Sequence, residues 1–268
     1  MSAQIMSCRR AALVVAHPGH ELRVHRWLEL ARPTVFVLTD GSGNHGASRL
    51  ASTTALLDRT GAAPGSIYGR LSDRDLYRAI LDADLDLFTD LADELAQGLG
   101  DVEVVAGDAV EGYNPGHDVC RLLLNAAVLR LEAEGRTIAN FDFPLVGAPD
   151  DCLAAERGAA LRLELDDEAL QRKLAAARTY PELAAEVDAA LANHGRDRFR
   201  VECLRPVRYG LDIAGLTSHP PFYETHGEKR VAMGLYGEVI RFQSHLAPLA
   251  TGLERYVAAE SQRACASC

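Results

Sequence analysis

The sequence predicts an α/β fold, a Rossmann-like, mainly parallel sheet flanked by helices, with a helical C-terminal excursion. Two observations predict it. Short β-rich runs, ALVVA (12–16), TVFVLTD (34–40), GSIYG (65–69) and DVEVVAGD (101–108), recur through the first half of the chain. Longer stretches of helical periodicity separate them. Such alternation favours parallel strands joined by crossover helices.

Taken in order, ALVVA is followed by ELRVHRWLELARP, where Leu22, Trp27, Leu28 and Leu30 suit an amphipathic helix, and then by TVFVLTD, which completes a β-α-β unit. GSGNHGAS (41–48) reads as a loop at the end of the second strand. LASTTALLDRTG (50–61) reads as a helix with Gly61 as C-cap. Residues 74–98 form one long helical stretch. After DVEVVAGD, the Gly/Asn/Pro turn EGYNPGHD opens a helix whose apolar face holds Val119, Leu122, Leu123, Ala126, Ala127 and Leu129. Residues 153–200 are Ala, Glu, Leu and Arg rich and read as helical, with a break at Pro181. RFRVECLRPVRYG (198–210) offers a further strand, and a Pro-containing loop then leads into a helix from about Glu228. A chain of 268 residues can bury one large core without covalent staples. We expect a single domain over 1–268, with 150–227 as a helical and loop insertion or lid.

Composition narrows the function classes. With 28 basic against 38 acidic residues the net charge is −10, and no basic stripe is evident, so a nucleic-acid partner is not expected. The segment before His17 has six consecutive apolar residues, too few for a signal core or a spanning helix, so no membrane partner is expected either. Cys8, Cys120, Cys152, Cys203, Cys265 and Cys268 follow no framework spacing, which points to a reducing, cytoplasmic setting. No G-x-G-x-x-G, P-loop or G-x-S-x-G motif is present. A small-molecule substrate is the expected partner.

The chemistry is carried by histidines. His17 and His20 lie in the turn HPGHE that ends the first strand, and His117 lies in the corresponding turn after the fourth. In parallel sheets ligands bind beyond the carboxyl ends of the strands, where both turns fall. Imidazole is a common zinc ligand, and catalytic zinc sites use three protein ligands and leave a position open. By spacing alone, an H-x-x-H pair is also compatible with a surface turn carrying two ordinary histidines.

AHPGHE after a hydrophobic strand resembles the A-H-P-D-D-E signature of the LmbE-like, or PIG-L, N-acetylglucosaminyl deacetylases. NPGHD resembles their second signature, H-P-D-H, and Thr39, Gly41 and Arg49 match the family's T-x-G loop and downstream arginine. The resemblance covers roughly residues 11–130. It implies a zinc ion held by His17, by His20 in place of an aspartate, and by His117, and it implies hydrolysis of an amide-type bond in a small polar molecule such as an N-acylated sugar or amino compound.

The departures from the family pattern are as specific as the match. Gly19 stands where the family keeps its general base, and Asn114 and Gly116 replace the histidine and aspartate that support its intermediate. Proton transfer would then fall to Glu21, Asp40 or Asp118. A second explanation is a three-histidine zinc or iron centre with non-hydrolytic chemistry, and a third is a catalytically silent binding protein. Arg49, Asn114, Tyr223 and His226 are candidate substrate contacts. Asn44 and His45 are candidates for the pocket rim, Glu224, Glu228 and Arg230 for a lid or pocket wall, and His25 and His194 for structural roles.

Overall fold

The structure is a computed structural model and describes residues 10–43, 46–150, 159–217 and 219–266. Among them, seven strands form one sheet: β1 (Ala11–Val15), β2 (Thr34–Thr39), β3 (Ala63–Leu71), β4 (Val104–Asp108), β5 (Ala139–Phe143), β6 (Leu161–Glu164) and β7 (Val201–Pro206). Their order is β3-β2-β1-β4-β5-β7-β6. The first five run parallel, and β7 pairs antiparallel with both β5 and β6. The expected α/β class is what the structure has.

The central strands explain the arrangement. β1 reads AALVV and is buried throughout, as a strand covered on both faces must be. Leu13 registers with Val35 of β2 on one side and with Ala106 of β4 on the other. The chain therefore builds outwards through β2 and β3, then crosses back to lay β4 and β5 on the opposite flank of β1. Strand order reverses between β1 and β4, and their carboxyl ends are the position at which sheets of this kind bind ligands.

Helices cover both faces. α1 (His25–Ala31), entered through a 3-10 turn at His20–Val24, places Trp27 and Leu28 against Leu13, Val15, Val35 and Val37. α2 (Leu50–Thr60) ends on Gly61, whose φ of 74° gives the left-handed cap read from the sequence. The predicted single helix over 74–98 is two, α3 (Asp73–Leu81) and α4 (Leu85–Gly98). Ala83 adopts φ 48°, and the side chain of Asp84 caps α4 by accepting from the backbone N–H of Leu87. α5 (Pro115–Ala133) is buried along most of its length against the sheet, α4 and the final helix. Its Arg121 is fully enclosed and donates to the carbonyls of Asp108 (2.6 Å) and Phe141 (3.0 Å), tying the ends of β4 and β5 to the helix.

The second half departs from the sequence reading in three places. β5 has polar residues within it, which hide its strand character, but Asn140 accepts from Arg121 and Asp142 from Arg205. β6 lies inside the stretch read as helical, and its LRLE alternates buried and exposed positions. α6 (Asp167–Arg178) and α7 (Ala184–His194) follow, separated at Pro181 as expected. α8 (Phe222–Ala232) starts directly after Pro221 rather than near Glu228, so Tyr223, Glu224 and His226 are helical. α9 (Ala247–Ala266) closes the fold. Cys203 is disulfide-bonded, which the scattered cysteine spacing did not suggest. Among the described residues, no helix is long and apolar enough to cross a membrane.

One buried ion pair joins this second half to the first. Lys173 of α6 donates to Glu202 of β7 (2.8 Å) and to the carbonyl of Arg23 (2.8 Å), while Glu202 accepts from the backbone N–H groups of Arg26 and Trp27 at the start of α1. Removing one partner strands the other charge in the interior. Lys173→Met should lower stability by about 3 kcal/mol in urea denaturation.

Candidate metal centre

His17 and His20 leave the end of β1, and His117 enters on the first turn of α5 just after β4, so strand reversal brings the three rings into one crevice. The ring centres lie 5.3 Å (His17–His20), 5.1 Å (His17–His117) and 4.5 Å (His20–His117) apart. Imidazoles sharing a tetrahedral ion at the usual zinc–nitrogen distance of about 2.0 Å hold their ring centres about 5 Å apart. The spacing fits, although the donor set is not closed: among the described residues, no group of three or more His, Cys, Asp or Glu is set to hold a metal ion as it stands.

Two carboxylates orient two of the rings. Nδ1 of His17 lies 2.8 Å from Thr39 Oγ1 and 3.0 Å from Asp73 Oδ1. Burial opposes ionisation of Asp73, but the hydrogen bonds from His17, the Thr39 hydroxyl and the Gly43 N–H outweigh it and hold the carboxyl well below its usual range. An ionised Asp73 places the His17 proton on Nδ1 and leaves the lone pair on Nε2, which is buried without a hydrogen-bond partner. Nδ1 of His20 lies 2.9 and 3.0 Å from the two oxygens of Asp108, whose Oδ2 also accepts from the Ala16 N–H (2.8 Å). Carboxylate-backed imidazoles of this kind are the usual outer shell of metal ligands.

His117 has a different surrounding. Asn114 caps α5 by accepting from the Gly116 N–H (2.8 Å) and also accepts from the Tyr77 hydroxyl (3.2 Å). Nδ1 of His117 is buried with no hydrogen-bond partner. Burial, and then the neighbouring His20, His17 and Arg49, push its pKa well below the ordinary value; burial also lowers that of His17. Both shifts favour the neutral ring, the form that binds metal.

Two glycines allow close packing around the rings. Gly19 has φ 106°, and a Cβ there would come within 2.3 Å of Leu183 Cδ1. A Cβ on Gly116 would lie 3.1 Å from Asn114 Oδ1 and from Leu76 Cδ2, and 3.4 Å from His17 Nε2.

The candidate bases are committed elsewhere. Glu21 is fully buried behind the turn, accepting from the Gly19 N–H (2.7 Å) and from the Tyr180 hydroxyl, which also bonds Thr53 (2.9 Å). Asp118 accepts from the N–H groups of Glu111 and Gly112, and burial raises its pKa to about 7. Asp40 accepts from the Ser42 N–H (2.9 Å) in the loop after β2. Arg49 donates to the Gly41 carbonyl (2.8 Å), and its charge reaches His117.

Among the more distant candidates, Tyr223 is buried with an unpartnered hydroxyl, and its N–H donates to the Gly112 carbonyl (3.2 Å). His226 stacks on Phe222, which stacks on Tyr113. Glu224 accepts from the Phe242 N–H (2.8 Å) and from Arg241, which also pairs with Glu228; Arg230 lies over the Tyr236 ring. His25 is buried, consistent with a structural role, and His194 ends α7. Asn44 and His45 lie outside the described residues.

Sequence reasoning missed Asp73 and Asp108. Asp108 carried a usable signal, as an acid at the carboxyl end of a parallel strand beside the point where strand order reverses. Compared with known proteins, the chain matches no family model, no curated protein and no solved structure.

An aspartate at Gly19 would meet the left-handed backbone and Leu183 together. Gly19→Asp should cost about 2 kcal/mol or more in urea denaturation. Leu183→Ala should relieve the clash, so that the double variant shows a coupling of about 1 kcal/mol.

Proposed function

We propose that His17, His20 and His117 hold one metal ion, zinc in the first instance, and that the protein is a metal-dependent hydrolase of deacetylase type. Its substrate would be a small polar molecule with an amide-type bond, such as an N-acylated sugar or amino compound. The observation that carries this reading is the convergence of three imidazoles, two of them carboxylate-backed, at the carboxyl edge of the sheet. Orphaned His17 Nε2 and His117 Nδ1 support it, since buried polar atoms without partners are uncommon and these are metal-binding atoms. The likeness of HPGHE and NPGHD to the deacetylase signatures supports the reaction class.

A bound zinc ion would supply Lewis acidity and an activated water. The chain's own groups do the rest. Asp73 and Asp108 hold the protons of His17 and His20 on Nδ1. Arg49, at the neighbouring loop, supplies positive charge for a polar substrate group, and Asn114 sets the start of the helix that carries His117.

A second reading has its own support. Glu21, Asp40 and Asp118 all serve backbone donors, and Gly19 and Gly116 offer no carboxylate. That favours a non-hydrolytic three-histidine centre, of zinc or iron, on the same scaffold.

Metal analysis of protein purified without added metal tests the centre. The expected result is about one zinc per chain, lost in His117→Ala while the fold is retained. Iron in place of zinc would support the second reading, and no metal under any loading condition would overturn both. Release of acetate or another acyl product from N-acyl sugars tests the reaction class. Metal present without acyl release, in a protein whose native reaction needs His117, would overturn hydrolysis.

A further inference from the structure

The 3-10 turn His20–Val24 carries a second functional group. Residues three apart in such a turn project from the same side, so Arg23 shares a side with His20. His20 is bonded to Asp108 at the end of β4, whereas Arg23 donates through Nη2 to the carbonyl of Leu145, two residues beyond β5. β4 and β5 are paired neighbours, about 4.8 Å apart. The guanidinium therefore lies on the β5 side of the imidazoles.

Its second terminal nitrogen, Nη1, is buried and has no hydrogen-bond partner. A charged donor left unmet away from water is unfavourable, and a guanidinium fork suits carboxylate and phosphate oxygens. Glu111 does not satisfy it. That carboxylate accepts instead from the N–H groups of Leu145 (2.9 Å) and Val146 (3.1 Å), so it offsets the charge of Arg23 without bonding to the free nitrogen.

We propose that Arg23 is the receptor for an anionic group on the substrate, a carboxylate or a phosphate, whose oxygen bonds Nη1 while the rest of the molecule lies along the crevice towards the imidazoles. The substrate is then an acid or a phosphate ester rather than a neutral molecule. This rests on reading the imidazole cluster as the reactive centre.

Calorimetric titration of the metal-free protein with inorganic phosphate, and separately with malonate, tests it without any metal-bound anion. Saturable binding of at least one probe is expected, weakened at least tenfold by Arg23→Gln. Glu111→Gln, which removes the offsetting charge, should strengthen it severalfold. A phosphate-only response assigns a phosphate group to the substrate, and a malonate-only response assigns a carboxylate. Binding of neither probe, or equal binding by Arg23→Gln, would overturn the proposal. Should Arg23→Gln fail to fold, unchanged or weaker binding by Glu111→Gln would overturn it. Zinc affinity of the same variants separates the two claims: Arg23→Gln should keep it within about threefold. A wild-type protein that bound no zinc yet bound anions through Arg23 would overturn the metal centre and leave the receptor standing.

Discussion

The site depends on two carboxylate–imidazole hydrogen bonds, Asp73 to His17 and Asp108 to His20. Each places an acceptor on the Nδ1 side of a ring, which decides where the proton resides and which nitrogen presents a lone pair. Neither carboxylate belongs to the histidine motif itself. Asp73 comes from the start of α3 and Asp108 from the end of β4, so the chemistry of HPGHE is set by two remote segments of the chain.

The sheet makes that possible. β1 is paired in parallel on both sides, and the chain departs from it in opposite directions, so the ends of β1 and β4 face one crevice. Arg121 locks the ends of β4 and β5 to α5, and the first turn of α5 delivers His117. Behind the crevice, Glu21, Tyr180 and Thr53 form a buried hydrogen-bonded chain that grips the Gly19 N–H, with Leu183 filling the space where a side chain would stand. The turn between the two histidines is held from the front by carboxylates and from behind by this chain. Its glycine is a packing requirement.

Much of the fold was legible because its signals are local. β1, β2 and β4 are apolar runs, and Gly61 stops α2 where its freedom to adopt positive φ predicts. β5 and β6 were not legible. Asn140 and Asp142 break the apolar pattern of β5 but are satisfied by Arg121 and Arg205, partners distant in sequence. The split between α3 and α4 turns on Ala83, which gives no compositional warning. In the site, the convergence of His17, His20 and His117 followed from strand-end positions. The commitments of Glu21 and Asp118 did not, because no spacing rule tells whether a carboxylate beside a histidine turns towards the ligand or towards the backbone.

X-ray absorption at the metal edge of zinc-loaded protein tests the central claim most directly. Three imidazole nitrogens at about 2.0 Å are expected, falling to two in His20→Ala. A shell of oxygen or sulfur ligands with one imidazole or none, unchanged in His20→Ala, would contradict it.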